Sequence, residues 1–129
     1  MLRRLLMVGA AGLLASCVSM SEDDCLGADW RAIGANDGAG GAGYDRLQTR
    51  VAQCREFGIE ADVSRYNQGY DDGIRSYCTP RNGFNVGRAG SSYNGVCPAE
   101  LETAGFLDAY YEGRELNRLE SNLESAIYA

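Results

Sequence analysis

Two strings in this chain set an aromatic ring ahead of the pattern G-x-x-D-G. They are Trp30-Arg-Ala-Ile-Gly34-Ala-Asn-Asp37-Gly38 and Tyr66-Asn-Gln-Gly69-Tyr-Asp-Asp72-Gly73, with a fainter echo at Tyr110-Tyr111-Glu112-Gly113. Glycines four apart on a helix share a face and let a second backbone or a ring come close. One reading is therefore helix–helix packing with tyrosines filling the grooves. The other is a ligand groove lined by rings and by Asp37 and Asp72, with Trp30, Tyr66, Tyr70 and Tyr93 as stacking platforms for a cell-wall sugar or peptide. Asp71-Asp72 and the pair Glu100 and Glu102 are the carboxylates that hydrolysis would need. Adjacent helical side chains point in different directions, so a solvated face accounts for both pairs.

The missing residue types exclude more than the present ones suggest. All twelve basic residues are arginine, and the chain has neither lysine nor histidine. Ser-His-Asp and Cys-His catalysis, imidazole metal sites, Schiff bases and a P-loop lysine all fall away, and no cofactor is expected. Eighteen acids against twelve arginines give a net charge of −6, which argues against nucleic acid as a partner. Gly38-Ala-Gly40-Gly-Ala-Gly43 fits G-x-G-x-x-G, yet a helical pattern stands where a dinucleotide site needs a strand. Gly40-Gly-Ala-Gly-Tyr-Asp45-Arg-Leu-Gln48 fits the calcium nonapeptide in a single copy, whereas that motif binds through stacked copies.

Chemistry of another kind is written at the start. Arg3 and Arg4 precede an apolar run from Leu5 to Ala15, too short for a spanning helix of about 20 residues. It closes on Leu14-Ala15-Ser16-Cys17, which resembles the lipobox of bacterial lipoproteins. The resemblance implies a signal peptide over 1–16, cleavage before Cys17, and acyl chains on the Cys17 sulfur and new amino group that hold the protein to a lipid bilayer. Val18, where aspartate favours inner-membrane retention in enterobacteria, implies the outer membrane facing the periplasm. Residues 17–28 then read as lipidated cysteine plus acidic tether, and 29–129 as one small domain.

In an exported domain Cys25, Cys54, Cys78 and Cys97 read as two disulfides, because a zinc site would want paired C-x-x-C spacing. Three pairings are open. Cys78–Cys97 would close a short Gly-rich loop, and Cys25–Cys54 would tie the N-terminal segment to a helix. Apolar spacing predicts helices after Asp29, after Asp45 with a capping-box Gln48, and after Asp62. Gly58 is expected as a left-handed cap. Dense glycine from Thr79 to Pro98 predicts a helical turn followed by an irregular loop. Pro98 should open a last helix whose end, Leu116 to Ile127, is spaced like a coiled-coil seam. The expected class is all-α: a small disulfide-bonded helical domain with Gly-rich loops.

The ordered set Trp30, Gly34, Asp37, Gly38, Cys54, Tyr66, Gly69, Gly73, Tyr77-Cys78, Gly83, Gly87, Gly90, Tyr93-Asn-Gly-Val-Cys97-Pro98, Phe106, Tyr110 and Gly113 resembles a domain-of-unknown-function family of proteobacterial lipoproteins. The likeness covers residues 25 to about 116. It implies that Cys54, Cys78 and Cys97 are framework positions and that the glycine and aromatic residues are a signature; it implies no activity. The resulting expectation is a non-enzymatic envelope lipoprotein with a structural or protein-interaction role and an envelope protein as partner. A periplasmic sugar- or peptide-binding module and a carboxylate hydrolase are the alternatives.

Overall fold

A computed structural model of the chain describes residues 19–129, and all regular structure among them is helical. The expected signal peptide and Cys17 lie outside the described residues. Helix α1 (Glu22–Leu26) starts at a capping box: Ser21 accepts from the Asp24 N–H while the Asp24 carboxylate accepts from the Ser21 N–H. From Met20 onward, therefore, the span 17–28 is not a free tether. Met20 is buried, its N–H donates to Gln53 Oε1 at 3.1 Å, and Cys25 is bonded to Cys54 with Cα atoms 5.6 Å apart.

Helix α2 (Trp30–Ala39) is capped by Asp29 and α4 (Val63–Tyr77) by Asp62, as their sequences dictate. Helix α3 (Tyr44–Glu56) departs from expectation, because Gly43 and not Asp45 holds the cap position. The extended backbone of Gly43 brings the chain into the helix early and leaves the Asp45 carboxylate in the first turn, near the positive end of the helix dipole. At the other end Gly58 adopts φ 72°, and Ile59 and Gly58 donate to the carbonyls of Cys54 and Arg55. Those two bonds make a Schellman stop.

The glycine-dense segment expected to be mostly loop forms a full helix, α5 (Pro80–Arg88), with proline at its first position and Thr79 accepting from the Asn82 N–H. The single helix expected after Pro98 is interrupted. A short α6 (Ala99–Leu101) leads into a π-helical stretch, Glu102–Phe106, where Gly105 takes φ 117°; only then does α7 (Leu107–Ile127) begin. Gly105 lies against the Pro80 ring, and the bend it allows delivers Phe106 into full burial.

Two glycine-stitched helix pairs carry the fold. Gly34 and Gly38 of α2 lie on the backbone of Tyr66 and Tyr70, while Gly69 and Gly73 of α4 lie on that of Arg31 and Ala35. Residue numbers rise together along both helices, so the pair is parallel, with α3 as the return. The second pair repeats the device: Gly83 and Gly87 of α5 meet the backbone of Phe106 and Tyr110, and Gly113 of α7 meets that of Phe84. Such approaches allow Cα–H to carbonyl contacts that a side chain would forbid. One buried cluster (Met20, Cys25, Trp30, Leu47, Cys54, Tyr66) fills the first unit and another (Ile74, Cys78, Cys97, Phe106, Tyr110) fills the second, with Tyr70 packed against both. The Cys78–Cys97 disulfide lies within the second cluster and ties the end of α4 to the loop before α6.

Candidate functional site

The echo in sequence becomes a local pseudo-twofold in space. Gly34 and Gly69, Asp37 and Asp72, and Gly38 and Gly73 are each thirty-five residues apart, and so are Arg31 and Tyr66. Each aspartate bonds across the pair to the residue of that last couple on the other helix. The Tyr66 hydroxyl donates to Asp37 at 2.9 Å, and Arg31 donates to Asp72 at 3.0 Å. Helix α3 covers one of these sites and not the other. Asp37 is only 6% exposed and receives two further bonds from Arg50, through Nε and Nη2, both at 2.9 Å. That bidentate clamp, with Arg46 at 3.8 Å, balances the carboxylate inside the fold. Burial and the neighbouring Asp37 carboxylate push the Tyr66 hydroxyl well above the ordinary tyrosine range, so it remains a donor.

The aromatic residues expected to line a groove serve the two cores instead. Trp30 and Tyr66 are buried; Tyr70 is half-buried, with its hydroxyl given to the Ala42 carbonyl at 2.6 Å. Tyr77 and Tyr93 pack on Phe106 with ring centroids 5.8 and 4.8 Å away. The open stacking cluster that a sugar-binding groove requires is not assembled from these rings, because their faces are spent on packing. Gly90, with φ 72°, ends α5 beside the Asn117 side chain. No buried side-chain polar atom among the described residues is left without a partner.

A second polar network pins the loop after α5. Cys97 N–H donates to the Tyr93 hydroxyl at 2.9 Å, which in turn donates to the Glu102 carboxylate. Burial, followed by the Glu102 bond, raises the Tyr93 hydroxyl to about 12. Tyr110 accepts from Tyr93 N–H and donates to the Ser91 carbonyl, each at 3.2 Å. Glu102 is thus not on a solvated face, as its spacing from Glu100 suggested. Asp37 is the one buried acid among the described residues, and its oxygens are already engaged by Tyr66 and Arg50. No three candidate ligands converge as a metal would require among those residues.

The longest row of exposed apolar side chains lies on α7. Asn117 donates to the Arg88 carbonyl and Arg88 pairs with Glu120, after which the helix has no further neighbour in its own chain among these bonds. Leu119, Leu123 and Ile127 are 50, 63 and 66% exposed along that projecting end. At its base runs a shallow groove with Tyr111, Leu116 and Leu119 as apolar lining and Asp108, Glu112 and Glu115 as its acids. Sequence spacing finds the leucines; Tyr111 and Glu112 belong to the YYEG echo, which spacing assigns to packing, and Asp108 and Glu115 carry no sequence signal of their own. Among the described residues no helix is long and apolar enough to cross a membrane.

Neither the curated proteins nor the solved structures yield a match. A family model does, over residues 29–115, a span that includes every glycine stitching the two pairs and stops as α7 leaves the body. The chain belongs to the family described as protein of unknown function (DUF2799).

Proposed function

We propose that this protein is a lipid-anchored envelope component without catalytic activity, held at Cys17 and built to present the free end of α7 to another protein. The observation carrying the interaction role is the row Leu119, Leu123 and Ile127, each at least half exposed on a helix that has outrun its own packing partner. Soluble domains bury such rows unless a partner covers them. The flanking acids, Asp108, Glu112, Glu120 and Glu124 against Arg114 and Arg118, favour a basic amphipathic helix as that partner. A second copy of this chain would bring like charge to like charge.

The test places a photo-crosslinking side chain at Leu119 or Leu123, with exposed Gln68 on α4 as the control position. Both seam positions should capture one protein with a basic amphipathic helix, and Leu119→Ser with Leu123→Ser should abolish capture while the helical signal is retained. Adducts no more frequent than at Gln68 would remove the interaction reading. The anchor is tested separately: wild-type protein from native envelopes should carry acyl mass on Cys17, and Cys17→Ala should accumulate as uncleaved precursor. Support for the anchor is the lipobox resemblance of Leu14-Ala15-Ser16-Cys17.

A further inference from the structure

The packed residue nearest the lipidation site sets how far the body can stand from a bilayer. Met20 is buried against the Cys25–Cys54 disulfide, and its N–H is bonded to Gln53. Met20 stands three positions after Cys17, and three extended steps of chain reach no more than about 11 Å. The polar layer on each side of a bilayer is itself about 5–8 Å deep. An anchored Cys17 therefore holds this end of the first unit at the level of the headgroups.

Three large apolar side chains are exposed at that same end: Leu26 at 68%, Phe57 at 43% and Val63 at 36%. Leu26 adjoins Cys25, Phe57 lies one turn beyond the bonded Cys54, and Val63 opens α4 just after Ala61, which packs in the Met20 cluster. Among the described residues nothing covers them. Around them stand Glu22, Asp23, Asp24, Glu56, Glu60 and Asp62, against Arg55 and Arg65. An acidic rim is repelled by anionic lipid, so the surface fits a headgroup layer that carries no net charge.

We propose that Leu26, Phe57 and Val63 form a membrane-contact patch that seats the domain directly on a zwitterionic bilayer interface beside its acyl chains. This rests on the anchored reading of Cys17. Partial insertion of small apolar surfaces to about 5–10 Å is the ordinary behaviour of interfacial segments. With so short a link, the patch meets lipid at the effective concentration of a tethered group.

The experiment uses the full lipidated protein reconstituted into phosphatidylcholine vesicles whose acyl chains are brominated near the glycerol. Native Trp30 is buried and supplies the background. Phe57→Trp and, independently, Leu26→Trp should each lose about half of their added fluorescence to the bromines, as expected at interfacial depth. Leu123→Trp on the free end of α7 should lose none, and adding phosphatidylglycerol should lessen the quenching. If the first two variants are quenched no more than Leu123→Trp while the protein carries acyl mass and floats with the vesicles, the patch is refuted and the anchor stands. If acyl mass and flotation are both absent, the anchor fails and takes the patch with it. Protection of both sites from aqueous iodide without quenching by brominated lipid would place a protein over the patch and also refute it.

Discussion

Replacing Gly38 by alanine tests whether the glycine stitching holds the first unit together. On an isolated helix the change would help, by about 0.8–1 kcal/mol, since alanine is the better helix former. Here the added Cβ would stand 2.5 Å from the Tyr70 carbonyl oxygen and 2.8 Å from Ile74 N. A carbon and an oxygen settle at about 3.3–3.6 Å, so α2 and α4 must part by about 1 Å. Both neighbours are backbone, and neither can rotate aside. Overpacking of this kind costs about 1–3 kcal/mol, and the lost approach at Gly34, Gly69 and Gly73 adds to it. The net expectation is destabilisation of about 1–2 kcal/mol, or a fall in Tm of about 5–15 °C for a domain of this size. Gly40→Ala is the internal control, because Gly40 has helical φ and its nearest backbone atom, the Asn36 carbonyl oxygen, would lie at 3.4 Å. It should leave Tm level or raise it. Thermal unfolding with disulfides intact reads both variants, and a Tm for Gly38→Ala at or above wild type would refute the stitched-pair reasoning.

The other expectations follow from charge, titration and cross-linking. Asp37→Asn leaves Arg50, 12% exposed, without its counter-charge and should cost about 3 kcal/mol in urea unfolding, while Asp72→Asn, whose pair with Arg31 is open to solvent, should cost less than about 1. The Tyr66 and Tyr93 hydroxyls titrate higher in the fold than in the unfolded chain, where their ordinary value is 10.0. Their contribution is therefore complete below pH 10 and drains away as pH climbs toward 12 and beyond, so unfolding midpoints should fall there and stay level between about pH 6 and 9, where no histidine titrates. Cys78→Ala with Cys97→Ala opens a loop closed over a separation of 19 residues and should cost about 3 kcal/mol. Hydrogen exchange should then quicken in α5 and α7 more than in α2 and α4, since the two buried clusters are distinct.

Those parts of the fold governed by local chemistry were readable in advance. Asp29 and Asp62 lie one residue before an apolar period and bond to the N–H three residues on, which is a short-range event. Gly58 ended α3 because only a left-handed residue closes both terminal bonds. Helix α5 was not readable, since Gly83 and Gly87 weaken a helix considered alone; they are favoured by the backbone of Phe106 and Tyr110, which arrives more than twenty residues later. Gly105 hid for a similar reason, as the break it makes is set by Pro80 and by the pocket for Phe106. At the candidate site, Gly34, Gly38, Gly69 and Gly73 were legible as a pattern. Which aspartate would be buried was not, because that depends on where α3 lies. Arg50 carries no periodic signal that marks it as the partner of Asp37. Trp30 and Tyr66 illustrate the converse: rings suited to stacking on a ligand are equally suited to a core, and spacing alone does not choose.

The two disulfides divide the labour of the fold along its length. Cys25–Cys54 fastens the entering chain to the end of α3 that shares a cluster with Trp30 and Tyr66, near the starts of α2 and α4. Cys78–Cys97 sits at the other end of α4, whose fifteen residues span about 22 Å. Beyond it α5 and α7 run parallel, and α7 continues past Glu120 with its leucines uncovered. A domain seated at Met20 and contacted at Leu123 would thus carry load along a path cross-linked at both ends of its first unit, with Tyr70 packed against both cores between them. If the proposed anchor and partner hold, a pull on α7 would pass through a body cross-linked by a disulfide near each end of α4. Glycine stitching suits that role because backbone-to-backbone approach leaves no long side chains to yield.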